Sequence, residues 1–180
     1  MSLPLHQVCL PPLRQTLQSL SNELSMASEH FAANGVDESA FLQARLAPDM
    51  FPFIQQIHAM TDHARRVVAL LADIEMPEIA GDETDLAGLR KRIAVSLDFI
   101  ESVDTAAIDA GEQRALAVSN RVGVLNMAGW EYTLRVAFPH FFFHATTAHD
   151  LIRQAGVDVG KRHFLGSVFA ERLTPHAPKA

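Results

Sequence analysis

Residues 53–74 read FIQQIHAMTDHARRVVALLADI. Phe53, Ile57, Met60, Ala64, Val67, Leu71 and Ile74 recur there at three- and four-residue steps. An α-helix turns about 100° per residue, so these side chains form one apolar stripe. A stripe of this kind has to be buried against other elements, which predicts a helical assembly around a shared core. Pro52 stands just ahead, where a proline costs a helix no hydrogen bond.

The same period runs outward in both directions. Upstream, Leu13, Leu17, Leu20, Leu24 and Phe31 form a second stripe, with Ala27 bridging the longer gap. Pro11 and Pro12 suit its first turn, and Asn34-Gly35 its end. In GVDESAFLQARLAPDMFP (35–52), Asp37 or Ser39 can cap a short helix that Pro48 should stop. Downstream, MPEIAGDET (76–84) is a linker. Asp82 or Thr84 then caps a helix carrying Leu86, Leu89, Ile93, Leu97 and Ile100 inward.

The period changes in RALAVSNRVGVLNM (114–127). Leu116 and Val118 alternate with small residues, Val122 and Val124 repeat the pattern, and Ser119-Asn120 lies between, which predicts a small hairpin. The last long segment is WEYTLRVAFPHFFFHATTAHDLIRQAG (130–156). Its helical period passes through Pro139, which should kink it, and Gly156 should close it. Four long amphipathic segments predict an all-α, up-and-down-type four-helix bundle with a hairpin before the last helix. Residues 1–166 make one domain on this reading, and 167–180 a flexible tail.

The 180 residues are 48% hydrophobic and carry a net charge of −6, which argues against a nucleic-acid partner. The basic run Arg90-Lys91-Arg92 reads as a solvated helix face. Cys9 is the single cysteine, so no internal disulfide forms, and ahead of the first helix it has no sign of being a nucleophile. No apolar run approaches the roughly 20 residues of a membrane span. MSLPLHQVCLPPLRQ lacks the charge and hydropathy pattern of a signal peptide, so a cytoplasmic setting without a membrane partner is expected.

His140 and His144 stand four residues apart, hence about 40° apart on a helix, and can reach one metal ion. On the second long helix His58 flanks the apolar stripe, where bundles place inward ligands. Convergence of His58, His140 and His144 would leave a fourth position open, as in a catalytic zinc site. The blander alternative makes the pair polar rim residues of a helix interface. His63 lies about 140° from His58 and reads as solvated. His149 should point away from His144 and be exposed or capping. Asp62 pairs with Arg65 or Arg66, or else orients His58 and stands as a weak candidate for general base. Of Phe141, Phe142 and Phe143, some pack inward and one meets a partner or a pocket wall, while Trp130 and Tyr132 read as core. No P-loop, GxGxxG, GxSxG or HExxH motif is present.

ARLAPDMFPF (44–53), FPHFFFHATTAHDLIRQAGVDVGKRHFLG (138–166) and the spacing between them resemble a bacterial domain-of-unknown-function family within the DinB/YfiT-like superfamily of metalloenzymes. The resemblance runs over about residues 3–166. It implies a four-helix bundle, often a homodimer, holding a divalent metal with three histidines. The paired ligands fall on His140 and His144, and the ligand of the second long helix on or near His58. It also implies that relatives often carry Asn and Gln at the positions of His140 and His58.

Two functions follow as expectations. One is a metal-dependent enzyme in which His58, His140 and His144 hold Zn²⁺ or Ni²⁺. The resemblance makes it a thiol-dependent transferase or a hydrolase acting on a small molecule. The other is a non-catalytic, dimeric ligand-binding or stress-related module without metal, suggested by the Phe-rich stretch and the missing acid–base constellation.

Overall fold

The computed structural model describes residues 3–119 and 122–168. Four long helices make the bundle: α1 (Leu5–Asn34), α3 (Phe53–Ala72), α4 (Leu86–Ser102) and α7 (Phe138–Gln154). Short helices α2 (Glu38–Leu42), α5 (Thr105–Ala110), α6 (Gly129–Tyr132) and α8 (Lys161–Leu165) lie between or after them. Both α1 and α3 pack against α4 and α7, so α1 and α3 stand on one diagonal. A simple up-and-down circuit would place consecutive helices side by side. The 35–52 connection is long enough to cross instead.

The predicted stripes are the core. Leu13, Leu17, Leu20, Leu24, Phe53, Ile57, Met60, Ala64, Val67, Leu71, Ile93, Phe141 and Ala145 are fully buried. Phe41 of α2 joins two of these helices, with its ring 4.8 Å from Phe31 and 4.4 Å from Phe53. Leu134, which continues the last segment's helical period, is exposed instead, Leu97 is only partly buried, and Ile74 also falls outside the core. α3 ends at Ala72, Asp73 takes a left-handed φ of 59°, and Ile74 is exposed.

Several boundaries differ from expectation. α1 begins at Leu5, so Pro11, Pro12 and Cys9 lie inside it. Burial pushes the Cys9 thiol up to about 12, which leaves it inert. Asp37 caps α2 by accepting from the Ser39 N–H at 2.9 Å, but α2 stops well short of Pro48. Asp85, rather than Asp82 or Thr84, caps α4 by accepting from the Gly88 N–H at 2.7 Å. Gly156 sits one residue past the last helix cap with φ 90°.

The hairpin pairs β1 (Ala115–Ser119) with β2 (Val124–Ala128) in antiparallel register, Leu116 opposite Met127. The second strand starts later than its sequence pattern indicated, and Val122 lies outside it in solvent. Asn120 of the expected turn and the expected tail from residue 169 onward lie outside the described residues. Two glycines seat the hairpin on the bundle. A Cβ at Gly111 would fall 2.2 Å from the Leu71 carbonyl oxygen, and one at Gly129 2.1 Å from that of Gly111. That close approach fixes where the chain enters the last helix.

The entry is not a plain kinked helix. Thr133–Ala137 forms a π-helical turn between α6 and α7, and the Phe138 N–H reaches back five residues to the Thr133 carbonyl. Pro139 has no N–H and would crowd the carbonyl four residues back. A wider turn immediately before it replaces the α-helical spacing there. Among the described residues no helix is long and apolar enough to cross a membrane.

Candidate metal centre

α3 carries histidines on two different flanks. Taking the buried stripe as zero, His58 lies at about +140° and Arg65 at about +120°, whereas Gln56 and His63 lie at about −60° and −80°. The first flank faces α4 and the second faces α7.

On the α7 side three histidines converge. One ligand nitrogen each from His63, His140 and His144 lies within 4.8 Å of the others. The His63 ring is 4.7 Å from that of His140 and stacks on that of His144 at 5.7 Å, with 11° between planes. His140 and His144 thus share a face as expected, but the partner from α3 is His63 and not His58. His63 was expected in solvent and is instead partly buried. The sequence did not tell which flank of the α3 stripe would meet α7. The available signal was Gln56 and His63, two polar residues seven apart on one side of that stripe.

Burial, reinforced by the His140 and His144 charges, pushes His63 down to about 4, and burial and His140 push His144 down to about 4. Both imidazoles are therefore neutral near pH 7, the form that ligates metals. Gln56 is buried and holds His144 from behind, its Oε1 2.7 Å from Nδ1. Its Nε2 donates to the Phe51 carbonyl at 3.0 Å, which fixes the amide's orientation. His144 then presents Nε2 as its free lone pair. The His63 Nδ1 is buried and has no hydrogen-bond partner.

This set fits a divalent cation. Tetrahedral ligation at about 2.1 Å separates ligand nitrogens by about 3.4 Å, so small ring rotations would close the cluster. Three imidazoles without a carboxylate suit Zn²⁺ or Ni²⁺ better than Mg²⁺ or Ca²⁺. His140 is exposed, so the fourth position would open to solvent.

On the α4 side the side chains are already committed. His58 Nε2 stands 2.8 Å from Glu83 Oε2, and Glu83 Oε1 lies 3.2 Å from Arg92 Nη1. Burial and the Arg92 charge lower the His58 pKa against the pull of Glu83. Asp62 Oδ1 accepts from Arg65 Nη2 at 2.6 Å and Arg92 Nη2 at 2.7 Å. The pairing with Arg65 was expected. Asp62 neither contacts His58 nor is left free as a general base. Arg92 also donates to Thr61 Oγ1 at 2.8 Å and to the Ala80 carbonyl, and Arg65 donates to that of Pro77. Arg92 is 4% exposed, so the basic run is a solvated face only at Arg90 and Lys91. It is a buried strut between α3, α4 and the linker.

His149 does point away from His144, yet it is buried rather than exposed. Its Nδ1 lies 2.9 Å from both carboxylate oxygens of Glu23, a fully buried residue of α1. The hydrogen bond to Glu23 raises the His149 pKa against the effect of burial. Phe141 is buried, Phe142 half-buried and Phe143 exposed, while Tyr132 is core and Trp130 is not.

Comparison with known proteins agrees with this architecture. Residues 5–165 match the model of a family described as a domain of unknown function, DUF1993. A crystal structure of a DinB family member protein from Shewanella denitrificans is 30% identical to this chain. It covers 97% of this chain and 96% of that one, with a TM-score of 0.82. No curated protein matches.

Proposed function

The chain belongs to the DUF1993 family, and on that footing we propose that it is a metal-dependent enzyme whose His63, His140 and His144 hold one divalent ion, Zn²⁺ or Ni²⁺. The observation that carries this reading is the convergence of three imidazoles around a buried His63 nitrogen with no protein partner. Two of these histidines, His140 and His144, belong to the ligand set that the sequence implied. His63 takes the place first given to His58.

A bound ion of this kind would polarise a substrate oxygen or lower the pKa of a water or thiol. The chain's own residues orient and exclude. Gln56 fixes the His144 tautomer, Phe51 and His63 lie nearly parallel to its ring, Phe143 meets it edge-on, and the exposed His140 leaves the cluster open to solvent. Such an open site with three protein ligands suits thiol-dependent transfer or hydrolysis on a small molecule. We place this activity in the cytoplasm, in keeping with one reduced, buried cysteine, and in a homodimer, in keeping with apolar side chains such as Trp130 and Leu134 left in solvent.

The test is metal content of untagged protein by mass spectrometry, with a size measurement on the same sample. Near one divalent ion per chain is expected. It should be lost in His63→Ala and His144→Ala and kept in His58→Ala. Loss in His58→Ala with retention in His63→Ala would return the ligand role to His58. A wild type that takes up neither Zn²⁺ nor Ni²⁺ would leave the non-catalytic, ligand-binding module as the better reading.

A further inference from the structure

A cavity of about 240 Å³ adjoins the histidine cluster, lined by Asp49, Met50, Phe51, Gln56, Phe143 and His144. Larger hollows, along α1 near Arg14 and Gln18 and beside Glu83 and Lys91, contain none of the three histidines.

The composition of the small cavity is unusual for a surface hollow. Phe51 and Phe143 come from different parts of the chain, the loop before α3 and the middle of α7. Both close on His144. The Phe51 ring lies nearly parallel to the imidazole at 6.1 Å, and the Phe143 ring meets it edge-on at 5.3 Å. Yet they are 48% and 57% exposed. Leaving two phenylalanines this open forgoes the hydrophobic stabilisation that a buried ring provides. Their neighbour Phe141 shows that the same helix can bury such a ring completely. Gln56 forms the floor, but its amide is already committed to His144 and Phe51 and has little left to offer a polar ligand. Met50 adds a flexible apolar wall. The charged lining residue is Asp49, which is exposed.

We propose that this hollow is the substrate subsite for an uncharged apolar group, an aromatic ring above all, carried by a small molecule whose metal-binding head reaches the histidine cluster. The inference rests on the metal reading and deepens it. Phe51, Phe143 and Met50 receive the apolar group, His144 marks the boundary with the head group, and Asp49 repels an anionic tail. The two ends of the substrate are therefore unlike: a thiolate, carboxylate or similar donor at the metal, and a neutral ring beside it.

Zinc-loaded protein titrated calorimetrically with acetohydroxamate and benzohydroxamate tests this, because the two probes share a head and differ in the ring. Benzohydroxamate should bind at least about tenfold tighter, the equivalent of burying part of one ring. The advantage should fall below about threefold in Phe51→Ala/Phe143→Ala, with acetohydroxamate affinity unchanged. A para-carboxylate on the ring should weaken binding, and Asp49→Asn should restore it. Equal affinity for both hydroxamates in zinc-loaded wild type would overturn the subsite and leave the metal site standing. Failure to take up zinc would overturn both. Because both phenylalanines are exposed, the double variant should fold. If it does not, Phe143→Ser alone, read against the same two probes, decides the matter.

Discussion

The two flanks of α3 solve the same problem in opposite ways. Each brings polar side chains into a partly buried seam between helices. On the α4 side opposite charges meet: Asp62 and Glu83 against Arg65 and Arg92, with His58 at the edge. On the α7 side like groups meet, three imidazoles with no carboxylate among them. The first seam is closed by ion pairs between protein groups, although Arg65 Nε within it has no hydrogen-bond partner. The second gathers lone pairs that depress one another's basicity and leaves a buried nitrogen unbonded. A seam of lone pairs offers ligands to a cation, whereas a seam of ion pairs has its opposite charges already in place.

The largest expected effect breaks the charged seam. Arg92→Ala should destabilise the metal-free protein by about 3–5 kcal/mol, because Glu83 is left buried without its cation and Asp62 loses one of two donors. In the same urea titration His63→Ala should cost no more than about 1 kcal/mol, since it removes a group that has no hydrogen-bonded partner at Nδ1. If the two costs were reversed, the histidine seam would be the structural one and the contrast would fail.

The next effect comes from loading the other seam. Zinc at about 100 times its dissociation constant should stabilise wild type by about 2.7 kcal/mol. Thermal unfolding with and without zinc should show the gain in wild type and in His58→Gln, and no gain in His63→Ala or His144→Ala. A gain of the same size in His63→Ala would move the ligand role off this residue.

The contrast also explains what could be read from the sequence. The bundle was legible because each long segment repeats its apolar residues at helical spacing over several turns. The hairpin showed as a change of period from 3.6 to 2. His140 and His144 were legible because a four-residue step places them on one face whatever the helix packs against. The third histidine of the cluster was not, because a stripe marks the buried face and not which neighbour lies on either side of it. His58 and His63 lie on opposite flanks of that stripe, and α3, packed between α4 and α7, turns the His63 flank toward α7. Arg92 and His149 were misread for a related reason. A charged residue beside a stripe looks solvated unless its partner is known, and their partners, Asp62 with Glu83 and Glu23, come from distant segments.

Gln56 sharpens the comparison further. It is the α7-side counterpart of the carboxylates across the helix, a neutral amide where the other flank uses charge. Gln56→Leu keeps the volume and removes the hydrogen bond to His144 Nδ1. Zinc affinity should fall about 10- to 100-fold in a competition assay with a chelating dye, as for other residues that support a metal-bound histidine. Unchanged affinity would mean that packing against Phe51 and His63 alone orients the ring.

The smallest effect is a slope. In metal-free protein His63 and His144 have folded pKa values near 4, below the unfolded value of about 6.5. Between those limits the unfolded chain binds more protons, so stability should fall as pH drops from about 6.5 toward 4. The bound is about 1.4 kcal/mol per pH unit for each imidazole, and solvent access to the seam reduces it. His149 has the opposite sign. Its folded pKa is raised by Glu23, so its contribution is complete below the unfolded value and is lost as pH climbs through the folded one. Urea midpoints across pH 4–9 should therefore decline on both sides. His63→Leu should reduce the acid limb by about half and leave the alkaline limb, whereas His149→Gln should flatten the alkaline limb alone. An acid limb unchanged in His63→Leu would assign the slope to His144. One that survives in His63→Leu/His144→Leu would show that the seam does not hold its imidazoles neutral.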